Sequence, residues 1–275
     1  MMLPVAHSRI LVRSGLCRVA LLAGCLACGT LSWAQAPAEA IPGPQLEVGI
    51  GVSKAPGWLG DAHPVVHATG WANAEFTSRR FGRFQLNGGA LTLDPSLNWD
   101  PWVKGIASFG AMIGYHGNPS IGEARNPAVP GSVAGLDGGI QAVLSLAGAP
   151  LFVQARKAFA NDQGSFLVVG SYLPVPLTKD LTLAFLPSAR WLDRKQSRLC
   201  FDAPAGTGPG VSAAYRADAG FQDVALEVVL DWQISRHLHA VNAVSQRQLT
   251  GSAGLTPLTD TRTQRAYCSG LSYHF

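Results

Sequence analysis

From Gln45 to Phe275 apolar and polar residues alternate with a period of two in segment after segment, and no stretch repeats apolar residues every third or fourth position over the length a helix needs. A period of two sends successive side chains to opposite faces of an extended strand. The clearest stretch is Phe221 to Ile234, where Val224, Leu226, Val228, Leu230, Trp232 and Ile234 share one face and Asp223, Ala225, Glu227, Val229, Asp231 and Gln233 the other. Strands of soluble sandwiches average about five or six residues, whereas a strand that crosses a bilayer needs about 9 to 11 at its usual tilt. One face of this segment suits lipid and the other water.

Ten further segments read the same way: Gln45 to Ser53, Val65 to Phe76, Arg83 to Leu91, Val103 to Tyr115, Leu136 to Leu146, Leu151 to Phe159, Ser165 to Leu173, Leu181 to Leu192, Leu238 to Leu249 and Gln264 to Phe275. Single-chain bacterial barrels have an even number of strands. The eleven segments therefore predict a twelfth, between Ala90 and Asn98 or between Arg198 and Tyr215, with ten strands as the fallback. The expected fold is all-β, a transmembrane antiparallel up-and-down β-barrel over residues 45–275. Connections come in two kinds. Gly148-Ala149-Pro150 and Ser235-Arg236-His237 are short, while His116 to Ala134, Asp193 to Ala219 and Thr250 to Thr263 are long. In an outer-membrane barrel the short turns face the periplasm and the long loops the exterior.

Composition supports that compartment. Charged residues make up only 14% of the chain, well below the roughly 25% of soluble domains. The formal charge of +4 drops to +1 once the three arginines of the first 34 residues (Arg9, Arg13, Arg18), which contain no acid, are set aside. A near-neutral remainder argues against nucleic acid as a partner. The same 34 residues carry an apolar run from Val19 to Trp33, followed by the Ser32 and Ala34 spacing of a signal-peptidase site. They read as a cleaved signal peptide, with a flexible Ala/Pro leader over 35–44. Leu22-Ala23-Gly24-Cys25 also spells a lipoprotein cleavage box, but the apolar run continues beyond it. Cys17, Cys25 and Cys28 leave with the signal, and Cys200 and Cys268 remain. They are either one disulfide or two unpaired side chains, and spacing leaves both open. No metal-ligand spacing and no cofactor motif remain in the mature chain.

The last strand places Tyr267, Ser269, Leu271, Tyr273 and Phe275 on one face and finishes on phenylalanine. Such a strand resembles the C-terminal signal read by the barrel assembly machinery. Tyr267, Leu271, Tyr273 and Phe275 are the candidate assembly residues, with aromatics spaced for the bilayer interfaces. Trp58, Trp71, Trp99, Trp102, Trp191 and Trp232 are expected in the same interfacial belts. Candidate catalytic groups are sparse. His237 and His239 flank a turn, and with His274 they lack the neighbouring serine of a barrel hydrolase. Asp223, Glu227 and Asp231 share a face on which Arg190 or Arg247 can neutralise them, and Lys104, Gln154 and Arg156 add to a polar lumen. The expectation is no enzyme. Gly49-Ile50-Gly51 lacks the following helix of a phosphate loop.

Several passages together resemble the MipA/OmpV family. They are Gly49 and Gly51 in the first strand, Arg80-Phe81-Gly82-Arg83-Phe84, Gly135-Leu136-Asp137-Gly138-Gly139, Tyr215 to Val224, and Leu249-Thr250-Gly251-Ser252-Ala253-Gly254-Leu255-Thr256-Pro257. The last departs from the family pattern at Ser252 and Thr256-Pro257, and Leu199-Cys200-Phe201 stands where a tyrosine-rich stretch is common. The resemblance implies a barrel in the Gram-negative outer membrane, embedded in its lipid. It also implies a scaffold of the MltA-interacting type, linking a murein-degrading lytic transglycosylase and a murein synthase to that membrane, with no catalytic residues. The alternatives are a pore for small solutes and a surface adhesin.

Overall fold

The computed structural model describes residues 44–57, 59–88, 91, 93–116, 135–146, 149–159, 164–206 and 213–275. The expected signal peptide, all but the last residue of the leader, Trp58, and the loop after His116 lie outside them. The strands are β1 (Gln45–Pro56), β2 (Pro64–Ser78), β3 (Gly82–Asn87), β4 (Ser96–Lys104), β5 (Ala107–His116), β6 (Gly135–Leu146) and β7 (Ala149–Ala158). They continue with β8 (Ser165–Ser171), β9 (Leu173–Pro176), β10 (Leu181–Leu192), β11 (Gly220–Gln233), β12 (Leu238–Leu249) and β13 (Thr263–His274). Two short helices, α1 (Arg194–Phe201) and α2 (Gly251–Leu255), lie in the connections.

Each strand pairs antiparallel with its neighbour in the wall, and β13 returns to β1 in a register running from Glu47↔His274 to Lys54↔Tyr267, which closes the sheet. Both β8 and β9 pair with β10, so they occupy one position in the wall, interrupted at Tyr172. Pro174 and Pro176 remove two ladder donors there, and β9 pairs with β10 alone. Thirteen named strands thus fill twelve positions. Closure pairs every strand on both sides except the four-residue β9, which meets the condition for crossing hydrocarbon with strands. The short connections β2–β3, β4–β5, β6–β7, β9–β10 and β11–β12 lie at the end where β1 begins and β13 finishes, and the longer ones at the opposite end.

The expected strand from Val103 to Tyr115 is two strands. Lys104 pairs with Ala107, with Gly105 (φ +57°) and Ile106 forming the turn between them. Alternation carries on through a two-residue turn, so the pattern hid the hairpin and with it β4, the twelfth strand. β4 begins in the last three residues of the first of the two intervals where it was expected and runs on past it to Lys104. The second interval instead holds the end of α1 and an isolated bridge between Ala203 and Tyr215. Eight residues of α1 are too few to show a helical period. An Asp193 N-cap starts it, the carboxylate accepting from the Gln196 N–H, a helix-starting contact.

The two faces of the wall differ as the alternation requires. Outward stand Leu46, Val48, Ile50 and Val52 on β1, Phe109, Ile113 and Tyr115 on β5, Val224, Leu226 and Trp232 on β11, and Tyr267, Leu271 and Tyr273 on β13, all exposed. Exposing so much continuous apolar area to water would cost about 25 cal/mol per Å², so the outer face belongs in lipid. No helix among the described residues is long and apolar enough to cross a membrane; the strands make the crossing.

Candidate functional site in the barrel lumen

The inward positions hold the buried charges. On the β4–β8 side, Arg156 on β7 donates through Nε and Nη2 to the two oxygens of Asp137 on β6, at 2.6 and 2.8 Å, and His116 Nδ1 on β5 lies 2.9 Å from Asp137 Oδ2. Closer to the turn end, Arg83 Nη2 donates to Asp100 Oδ2 at 2.7 Å and to Ser108 Oγ at 2.9 Å, while Gln141 Nε2 donates to Asp100 Oδ1 at 2.7 Å. Phe166 on β8 lies between the guanidinium groups of Arg156 and Arg190, its ring centre 5.1 and 5.7 Å from them, within cation–π reach. These strands place large side chains inside, and the strands opposite place small ones: Ser53, Ala184, Ala225, Ala243, Ser245 and Ala266 are buried on the inner face of β1 and β10–β13.

The fit fills the middle of the barrel. None of Asn98, Asp100, Met112, Asp137, Gln141, Arg156, Phe166, Val168 and Glu227 exposes more than 4% of its surface. In an open aqueous channel these lumen side chains would be accessible to water. At the loop end the filling becomes apolar: Phe166, Val168, Leu192 and Leu249 from the wall pack with Leu59, Phe201, Ala203, Ala217, Ala253 and Leu258 from the loops and helices. Polar contacts stitch this cap together. Thr256 Oγ1 donates to the Phe201 carbonyl (3.0 Å), Thr259 Oγ1 to the Ala253 carbonyl (2.7 Å), and the Gly164 N–H to Gln196 Oε1 (3.0 Å).

The turn end is more open, and Trp71 organises it. Its indole Nε1 donates to Glu47 Oε1 at 2.9 Å, and Asn73 Nδ2 donates to Glu47 Oε2 at 3.0 Å. The ring lies over Gly49 and Gly270, where an added methyl group would overlap it. Gly49, which the sequence offers only as a family residue, is thus the bed of a lumen tryptophan. Beside it, His239 Nδ1 lies 2.8 Å from Asp231 Oδ1, and the His239 and His274 rings stack with centres 3.9 Å apart.

The expected residues fall as follows. Tyr267, Leu271 and Tyr273 face outward, and Phe275, also exposed, donates its N–H to the Leu46 carbonyl (3.0 Å) and packs edge-on against Tyr273. Cys200 on α1 and Cys268 on the inner face of β13 are both free thiols. Burial pushes the Cys200 thiol up to about 12. Asp223, Glu227 and Asp231 face the lumen as expected, and Arg247 lies 3.7 Å from Asp223. Arg190 bonds elsewhere, its Nη2 donating to Asp94 at 2.7 Å. Gln154 and Arg156 face inward, whereas Lys104 is exposed and shares the outward register of Ala107. Trp99, Trp102 and Trp232 face outward and exposed, and Trp191 also faces outward. Trp71 corrects the expectation of an interfacial belt: it shares the inward phase of Asn73 and Glu75, opposite Gly49.

Among the described residues two Ser–His contacts occur, Ser53 Oγ to His67 Nε2 at 2.8 Å and Ser272 Oγ to His274 Nε2 at 3.4 Å. Glu47 approaches His274 at that same Nε2, 3.9 Å away. A catalytic triad needs the acid on the other ring nitrogen.

A closed sheet with an apolar outer belt and a polar interior is the construction of outer-membrane barrels, and it places this chain in the Gram-negative outer membrane. Among solved structures the fold is similar to the NanC porin, at 9% identity over 82% of this chain and 98% of that one, with a TM-score of 0.46. It is similar also to OmpT of Vibrio cholerae, at 7% identity over 86% and 99% with a TM-score of 0.37. A third is the COG4313 outer membrane channel from Pseudomonas putida F1, at 9% identity over 87% and 98% with a TM-score of 0.38. No curated protein matches the chain. The profile of the MltA-interacting protein MipA family matches residues 48–275, from β1 through the last strand, and the chain belongs to that family.

Proposed function

We propose that this barrel is a non-catalytic scaffold, which holds a murein-degrading lytic transglycosylase and a murein synthase at the outer membrane. The observation that carries the reading is the filled lumen: the Arg156–Asp137–His116 and Arg83–Asp100 clusters occupy the middle, and the apolar cap covers the loop end. A barrel whose middle is filled among the described residues is better suited to holding partners than to passing solutes. The family name supports MltA, a lytic transglycosylase, as the first partner. In this reading the turn end faces the periplasm, and Lys179 and Arg236 stand there exposed to a partner, with Asp180 half-buried beside Lys179. The outward aromatics Tyr267, Tyr273 and Phe275, with Leu271, serve as the signal for assembly.

The test is a photo-cross-linking residue placed at Lys179 or Arg236 in cells, with the captured proteins identified by mass spectrometry. The scaffold reading expects a lytic transglycosylase or murein synthase from these positions and none from Lys195 on α1. Capture of no murein enzyme from the turn end would contradict it.

A further inference from the structure

Three side chains gather at the loop end in a place the barrel wall does not explain. Asp61 and His63 follow β1 in the first loop, Asp260 precedes β13 in the last, and one ligand atom from each lies within 4.8 Å of the others. Asp61 is only 8% exposed. Its Oδ2 accepts from the Gly57 N–H at 3.2 Å and its Oδ1 from the His63 N–H at 2.8 Å, and His63 Nδ1 lies 3.3 Å from the same Oδ1. None of these partners carries a fixed positive charge, and Asp260 brings a second carboxylate alongside. Two carboxylates and an imidazole brought this close together are a donor set suited to a divalent cation.

The chemistry of the donors narrows the cation. Calcium takes six to eight oxygens, whereas one imidazole nitrogen with two carboxylates suits zinc and its transition-metal neighbours. Ligand atoms about 2.0–2.2 Å from a tetrahedral zinc stand roughly 3.3–3.5 Å apart, and the Nδ1–Oδ1 separation of 3.3 Å fits that spacing. His63 is 89% exposed at its side chain, which leaves a water-accessible position for a fourth ligand. We propose that Asp61, His63 and Asp260 form a divalent-metal site of the zinc type, completed by water. The site fastens the first loop to the last where β1 meets β13. The backbone is already aligned for this, since the Asp260 and Thr261 N–H groups both donate to the Gly60 carbonyl at 3.0 Å. Nearly two hundred residues separate the two halves of the site, and no ligand spacing along the chain reveals it.

The experiment titrates zinc alone into the purified, refolded full chain by calorimetry, with folding of every sample verified by its unboiled mobility on a gel. One zinc per chain is expected, and excess magnesium should not compete. His63→Ala and Asp260→Asn, both at exposed positions, should each weaken binding by more than about tenfold. His237→Ala, at the far end of the barrel, should leave it unchanged. Absence of zinc binding by the unaltered chain, binding that survives both loop substitutions, or binding lost with His237→Ala would each overturn the site.

Discussion

Trp71 and Gly49 show how much a single lumen position constrains the wall. The indole fits only because Gly49 and Gly270 present bare backbone beneath it. Gly49→Ala should therefore destabilise the barrel by about 1–3 kcal/mol, the usual cost of overpacking, read as an earlier denaturant midpoint. Combining it with Trp71→Ala should recover part of that loss, because the two changes share one space. The buried Arg156–Asp137 pair makes a sharper case: Arg156→Ala leaves Asp137 charged at 0% exposure and should cost about 3–5 kcal/mol in the same assay. Alternation told which way such residues point, and Asp223, Glu227 and Asp231 do face inward as the pattern requires. It could not tell their partners. Arg190 reaches Asp94, and Trp71 meets Glu47, because those neighbours are set by closure of the sheet and not by distance along the chain.

At the level of elements, long alternating runs were legible and interruptions were not. β10 and β12 have the limits their apolar pattern gives, Leu181–Leu192 and Leu238–Leu249. Residue types alternate on through the Gly105-Ile106 turn although the faces change there, Lys104 and not Val103 sharing the face of Ala107, and this hid β4. The expected strand from Ser165 to Leu173 is β8 with the first residue of β9, which runs on to Pro176. Helices α1 and α2 were invisible for a different reason: they are short, and tertiary packing sustains them more than their own periodicity does. Their packing has a chemical consequence. Cys200 lies in the cap with its thiol pushed up to about 12, so at pH 8 it is held protonated and shielded. In a Cys268→Ala background the folded protein should resist maleimide labelling until it is denatured. Phe201→Ala, which removes a side chain 1% exposed from the middle of the cap, should make Cys200 react in the folded state, as mass spectrometry would show.

The barrel combines an apolar outside with an inside filled, among the described residues, in its middle and at its loop end. Twelve strand positions are enough to enclose an open lumen or a filled one, since interior space depends on strand number and on the side chains turned inward. Strand number was legible from the count of alternating segments and the even-number rule. The state of the lumen was not, because it depends on large residues from β4–β8 meeting small ones from β1 and β10–β13 across the interior, and on loops that fold back over the mouth. The folded barrel should migrate differently from its boiled form on a gel of purified outer membranes. The most direct measurement of the central claim is conductance of the purified protein in planar bilayers. A filled and capped scaffold predicts a silent membrane at ordinary voltages, and discrete, reproducible conductance steps would contradict it.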